Sequence, residues 1–155
     1  MILYLGTSSL VKLYVEEPYS ETIKEWVKTA EIVATSRIAY TEVMSALDIR
    51  FQKGNLSKET YDLVVKCFSE DWQHFAKVDF DDYETGSFIK EYGLTRFGAL
   101  HLSAAKFIQR AYNKHKSDFE MLNKGQFDII LFFSSADEKL SEAAIAEGLR
   151  ILPLY

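Results

Sequence analysis

Apolar and polar positions along this chain fall into short blocks that repeat a strand-then-helix rhythm. Ile2 to Leu5 is an unbroken apolar run, too short for a helix. It stops at Gly6, before the hydroxyl residues Thr7, Ser8 and Ser9, the types that cap a following helix. Leu10, Leu13 and Tyr14 then recur at helical spacing until Pro18, and a second helix over 20–28 places Ile23, Trp26 and Val27 on one face. Ile32 to Ala34 repeats the pattern as a short apolar run that ends in Thr35 and Ser36.

The rhythm continues to the end of the chain. Val43, Met44, Leu47 and Phe51 form a helical stripe over 38–53, closed by Gly54, and Ser57 caps a long amphipathic helix reaching Phe75. Val78 and Phe80 mark a third strand, and Asp81 or Asp82 opens a helix that Gly93 closes. Leu100, Ala104, Phe107 and Ile108 are the expected inward positions of a helix over 97–112. Asn113 to Gln126 is polar and aperiodic, and reads as a loop or weak helical excursion that is long for a compact domain. Asp128 to Phe133 is the most apolar strand, a helix follows from Asp137 to Glu147, and Ile151-Leu152 is the last strand. Apolar strands alternating with helices predict an α/β protein with a parallel sheet covered on both faces.

Length and composition limit what this pattern can build. A chain of 155 residues with 48% apolar content supports one well-buried core, so residues 1–155 are read as a single domain. No apolar stretch approaches membrane-spanning length, which predicts a soluble, cytoplasmic protein that makes no membrane contact. Cys67 is the only cysteine, excludes an internal disulfide and is expected as a small buried side chain on a helix. A net charge of −5 argues against diffuse attraction to polyphosphate. The compact basic cluster of Arg110, Lys114, His115 and Lys116 reads as a solvated surface or as a contact for phosphate or an acidic partner.

Ligands of open α/β sheets sit at the carboxyl ends of the strands. The polar residues there are Thr7, Ser8, Thr35, Ser36, Glu42, Ser134, Ser135 and Asp137. Glu42 and Asp137 are the carboxylates among them. Asp137 has an alternative reading as a residue interacting with a helix dipole, and Glu42 as an exposed helix glutamate. His74, His101 and His115 show no metal-ligand spacing, and His101 is expected to pack beside Leu100 and Leu102. No glycine-rich phosphate loop is present.

Four separated segments carry a family resemblance. The start from Ile2 to Pro18, Ala39-Tyr-Thr-Glu-Val-Met-Ser-Ala-Leu47, Arg96-Phe-Gly-Ala-Leu-His-Leu-Ser-Ala-Ala105 and Ser134-Ser-Ala-Asp-Glu-Lys-Leu140 resemble the PIN domain, in the order and spacing of VapC-type toxin ribonucleases. The resemblance implies a three-layer α/β/α sandwich with a central parallel sheet, a homodimer, an antitoxin protein partner, and an acidic pocket binding magnesium or manganese for RNA cleavage. Carboxylates suit such ions because hard cations take oxygen ligands and activate a water. Glu42 and Asp137 match two of the family's acids, and Thr7, Ser8 and Ser135 match hydroxyls that orient water or phosphate, with helix capping as their other reading.

Glycines stand at the two remaining acidic positions. Gly6 replaces the aspartate that ends the first strand, and Gly98 replaces the one before Ala-Leu-His. A metal held by Glu42 and Asp137 alone keeps more waters and binds weakly or not at all. Two carboxylates about 6 Å apart repel by roughly 3 kcal/mol at an effective dielectric of 20, so the losses also relieve repulsion in the metal-free fold. The leading expectation is a degenerate nuclease that retains RNA or protein-partner binding. The alternative is an active magnesium- or manganese-dependent endoribonuclease that completes Glu42 and Asp137 with Glu84, Asp82 or Asp48.

Overall fold

The computed structural model describes residues 1–122 and 129–154. Five parallel strands, β1 (Ile2–Leu5), β2 (Ile32–Ser36), β3 (Ala76–Val78), β4 (Leu131–Ser134) and β5 (Arg150–Ile151), form one sheet in the order β3-β2-β1-β4-β5. β1 is central, with Ile2 opposite Ile32 on one side and Leu5 opposite Ser134 on the other. Successive side chains of β1 feed different cores, because a strand alternates faces. Leu3 and Leu5 pack with Leu10, Val43, Leu47 and Phe68, whereas Tyr4 packs with Ala34, Leu102, Phe133 and Leu140.

Seven helices cover these two faces. α1 (Thr7–Val11), α2 (Ser20–Thr29), α3 (Ala39–Gln52) and α4 (Lys58–Trp72) enclose the first core, and α5 (Asp82–Tyr92), α6 (Arg96–Leu122) and α7 (Glu138–Ala146) enclose the second. The result is the expected three-layer α/β/α sandwich. Strand order reverses between β1 and β4, which opens a crevice at their carboxyl ends. Among the described residues no helix is long and apolar enough to cross a membrane.

Several ends follow local chemistry. Ser57 Oγ accepts the Thr60 N–H at 3.2 Å and Asp81 Oδ1 accepts the Glu84 N–H at 2.7 Å, satisfying amide groups that the first turns leave unpaired. Gly93 closes α5 at φ 63°, a left-handed conformation that a side chain would strain.

Other expectations need correction. α1 begins at Thr7 with Gly6 in the cap position and no side-chain cap, so neither Ser8 nor Ser9 caps it. α4 ends at Trp72, short of Phe75, and β3 ends at Val78, short of the Phe80 expected for it. Of the two readings of 113–126, loop or weak helical excursion, the helical one holds through Leu122, and residues 123–126 lie outside the described part. Between Gly98 and Leu122 the sequence holds no glycine or proline, and extending a formed helix adds a hydrogen bond for every residue fixed. An apolar stripe is therefore unnecessary. Lys114, His115 and Lys116 are exposed on this extension, while Arg110 is tied to Glu84.

Phe107 is exposed, not inward, because it stands about 200° around the helix from buried Ala105. Cys67 is exposed as well, on the side of α4 away from buried Phe68.

Candidate functional site

The crevice at the strand ends forms a pocket of about 270 Å³ whose walls include Gly6, Thr7, Glu42, Gly98, His101 and Asp137. Each arrives from a different place in the sequence. Gly6 and Thr7 follow β1, Glu42 sits in the first turn of α3 behind β2, His101 lies on α6, and Asp137 precedes α7 behind β4. A cleft of about 280 Å³ at the opposite end of the sheet, beside Ile130 and Arg150, has no carboxylate or histidine in its walls among the described residues.

A chain of hydrogen bonds runs from the core into the first pocket. The Tyr4 hydroxyl lies 2.8 Å from His101 Nδ1, His101 Nε2 lies 3.0 Å from Glu42 Oε1, and Thr7 Oγ1 is 2.9 Å from both Oε1 and Nε2. Burial pushes the Tyr4 phenol well above its ordinary pKa, the negative charge of Glu42 adds to this, and a backbone hydrogen bond from Ser36 opposes it. Tyr4 therefore keeps its proton beside Nδ1, and His101 Nε2, facing the carboxylate oxygen of Glu42 and the hydroxyl of Thr7, carries a proton of its own.

Two donors thus converge on Glu42 Oε1, from His101 and Thr7. Among the described residues Oε2 has no such partner, and no buried side-chain oxygen lacks one, so Oε2 remains open to the pocket. The carboxylate is held by one oxygen and presents the other.

The remaining sequence-picked residues have defined roles. Asp137 Oδ1 caps α7 by accepting the Leu140 N–H at 3.2 Å, as the helix-terminal reading anticipated. Ser8 Oγ accepts the Ala136 N–H at 2.9 Å and lies 3.3 Å from Ser135 Oγ, while Ser135 Oγ accepts the Asp137 N–H at 3.1 Å. These hydroxyls stitch α1 to the turn after β4. Thr35 Oγ1 donates to the Leu5 carbonyl at 2.7 Å, and Ser134 Oγ lies 3.2 Å from Ser9 Oγ, so both serve the sheet, not the pocket.

Neither Gly6 nor Gly98 needs glycine for its backbone. Gly6 has φ −68°, and a Cβ there would stand 3.5 Å from the Ser134 carbonyl oxygen, an ordinary contact. A Cβ on Gly98 would come within 3.2 Å of Thr95 Oγ1, which accepts the Gly98 N–H at 3.1 Å and caps α6. A side chain fits at 6 and crowds the cap at 98.

The sequence matches no family model and no curated protein. In structure it is similar to FitAcB from Neisseria gonorrhoeae, over 99% of this chain and 97% of that one, with a TM-score of 0.58 and 15% identity. The fold is PIN-like. At this identity the likeness speaks for the fold alone.

Within this PIN-like frame the pocket residues do not form a divalent-cation site. Its walls contribute two carboxylates, Glu42 and Asp137, and Glu42 has one oxygen already committed. Among the described residues no group of three or more His, Cys, Asp or Glu side chains is placed to hold a metal. A hard cation of the magnesium type demands near-octahedral oxygen coordination. The suggested substitute acids stand elsewhere: Glu84 is bound to Ser103 and Arg110, Asp48 to Tyr61, and neither these nor Asp82 line the pocket.

Sequence reasoning missed His101 and Tyr4. His101 was expected to pack among leucines, yet it is 3% exposed and hydrogen-bonded at both nitrogens. Tyr4 sits inside an apolar strand, where its hydroxyl was the one available signal.

Proposed function

We propose that this chain is a protein of the toxin–antitoxin ribonuclease lineage whose metal-dependent site has degenerated, leaving a protein that binds RNA or a protein partner and cleaves weakly or not at all. The observation that carries this reading is the pocket itself. Gly6 and Gly98 stand in its walls where the resembled family has aspartates, and Glu42 is engaged by His101 and Thr7. The four sequence segments and the likeness to FitAcB support the lineage. A homodimer and an antitoxin-like partner belong to the same reading.

The test is a calorimetric manganese titration of the native chain beside Gly6→Asp/Gly98→Asp, with a pooled-RNA cleavage assay on both. The native chain is expected to give no saturable heat and no metal-dependent cleavage, and the repaired chain to gain both. Native binding and cleavage of RNA, lost on Asp137→Ala, would overturn the reading and make Glu42 and Asp137 the anchors of an active endoribonuclease.

A further inference from the structure

We propose that the pocket accepts the amino edge of a single RNA nucleobase, with Glu42 Oε2 as its acceptor, Phe97 as its stacking surface and Arg96 as the outer contact for phosphate. This rests on the RNA-binding part of the function proposed above and names the ligand of that site.

The cavity, about 270 Å³, lies just below the roughly 300–1,000 Å³ of pockets that hold drug-sized ligands, so it suits one flat ring system. Its polar chemistry is equally selective. Glu42 Oε1 is saturated by His101 and Thr7, leaving one fixed acceptor oxygen in the pocket. A pinned acceptor discriminates better than a mobile one, because the wrong ligand cannot be accommodated by turning the side chain away.

Phe97 supplies the second element. It is a pocket-wall residue at the start of α6, 44% exposed, with the Arg96 guanidinium carbon 5.3 Å from its ring centroid. An accessible aromatic face is a stacking platform for any base, and an adjacent arginine adds a cation for the backbone. Among the described residues no lysine or arginine lines the cavity, so a phosphate has no cationic partner inside it and the exposed Arg96 holds the charge outside.

The base preference follows from donor and acceptor patterns. Adenine and cytosine offer an exocyclic amine to a carboxylate oxygen. Uracil offers its N3–H only between two carbonyl oxygens, which would approach the carboxylates of Glu42 and Asp137 with their lone pairs. Amino-bearing bases should therefore bind better than uracil.

The experiment measures binding of fluorescent A6, C6 and U6 RNA, and of adenosine, cytidine and uridine, in EDTA. Metal binding, on which the functional reading is tested, then plays no part in the result. The expected result is tighter binding of A6 and C6 than of U6, with the same order among the nucleosides. Phe97→Ala should weaken A6 and C6 by about tenfold, the scale of one lost stacking contact, and Phe97→Tyr should retain them. Arg96→Ala should remove the hexamers' advantage over nucleosides. Glu42→Gln, nearly identical in shape, should shift preference toward U6, because its amide presents a donor to a uracil carbonyl. A purely structural role for Glu42 would not move the base order. Equal binding of the three hexamers, absence of binding, or an unchanged order in Glu42→Gln with retained circular dichroism overturns the proposal.

Discussion

Two glutamates near the first helix show how the same side chain is used in different ways. Glu17 receives Arg50 on Oε1 and Lys12 on Oε2, so both oxygens are matched by cations and the turn after α1 is tied to α3. Glu42 receives no lysine or arginine, only His101 and Thr7, both on Oε1. The first carboxylate is closed, and the second is oriented by half of its bonding capacity while the other half faces a pocket. Glu84, matched by Ser103 and Arg110 on its two oxygens, belongs with Glu17, which explains why it cannot stand in for a missing pocket acid.

The largest effect should come from opening the closed site. Glu17→Ala strands Lys12, which is only 7% exposed, and is expected to lower stability by about 2–3 kcal/mol in urea unfolding. This falls below the roughly 3–5 kcal/mol of a fully buried pair because the Glu17 and Arg50 side chains are 24% and 28% exposed. Glu42→Ala should cost less. A larger loss there would remove the distinction between the two sites.

The Glu17 contribution also has a pH signature. Burial alone would raise its pKa, but hydrogen bonds from Arg50 and Lys12 outweigh that and hold the carboxyl below its ordinary value of 4.5. Its stabilisation is therefore fully present above that value and is lost as pH falls through the lower folded-state value. Acid titrations of native chain and Glu17→Gln should converge toward low pH.

Tyr4→Phe should have the next effect, about 1–2 kcal/mol, by leaving buried Nδ1 without its donor. Because Glu42 Oε1 still accepts from Nε2, nitrogen NMR should show His101 protonated at Nε2 in both the native chain and the variant. Because the Tyr4 pKa is raised, its contribution is complete below the ordinary value of 10.0 and is lost as pH rises beyond it while the unfolded chain ionises. Alkaline unfolding should thus be shallower in Tyr4→Phe than in the native chain.

The smallest effects distinguish Gly6 from Gly98. Gly6→Ser should stabilise by about 0.4–1 kcal/mol, since its φ and surroundings accept a Cβ and serine is a preferred residue at this helix N-cap. At Gly98 the helix-propensity gain of about 1 kcal/mol is offset by crowding of Thr95 at 3.2 Å, so Gly98→Ala should leave the melting temperature nearly unchanged. Equal gains at both would show that Thr95 yields freely.

The βα rhythm was legible in the sequence because strand ends and helix caps are local. Ile2 to Leu5, Ser57, Asp81 and Gly93 each act through neighbours within a few residues, and the structure places them where that chemistry predicts. Gly6, Thr7, Glu42, Gly98 and Asp137 could also be named from segment order, and the fold gathers them around one pocket. For the extension of α6 the sequence could not choose between loop and helix, since an exposed helix has no apolar period to read. Nor was the state of the pocket. Tyr4 and His101 are 97 residues apart, and His101 and Glu42 are 59 apart. Only the stacking of β1, α3 and α6 decides that a leucine-flanked histidine bonds a strand tyrosine on one nitrogen and the pocket glutamate on the other, because hydrogen bonds depend on proximity in space and carry no sequence period.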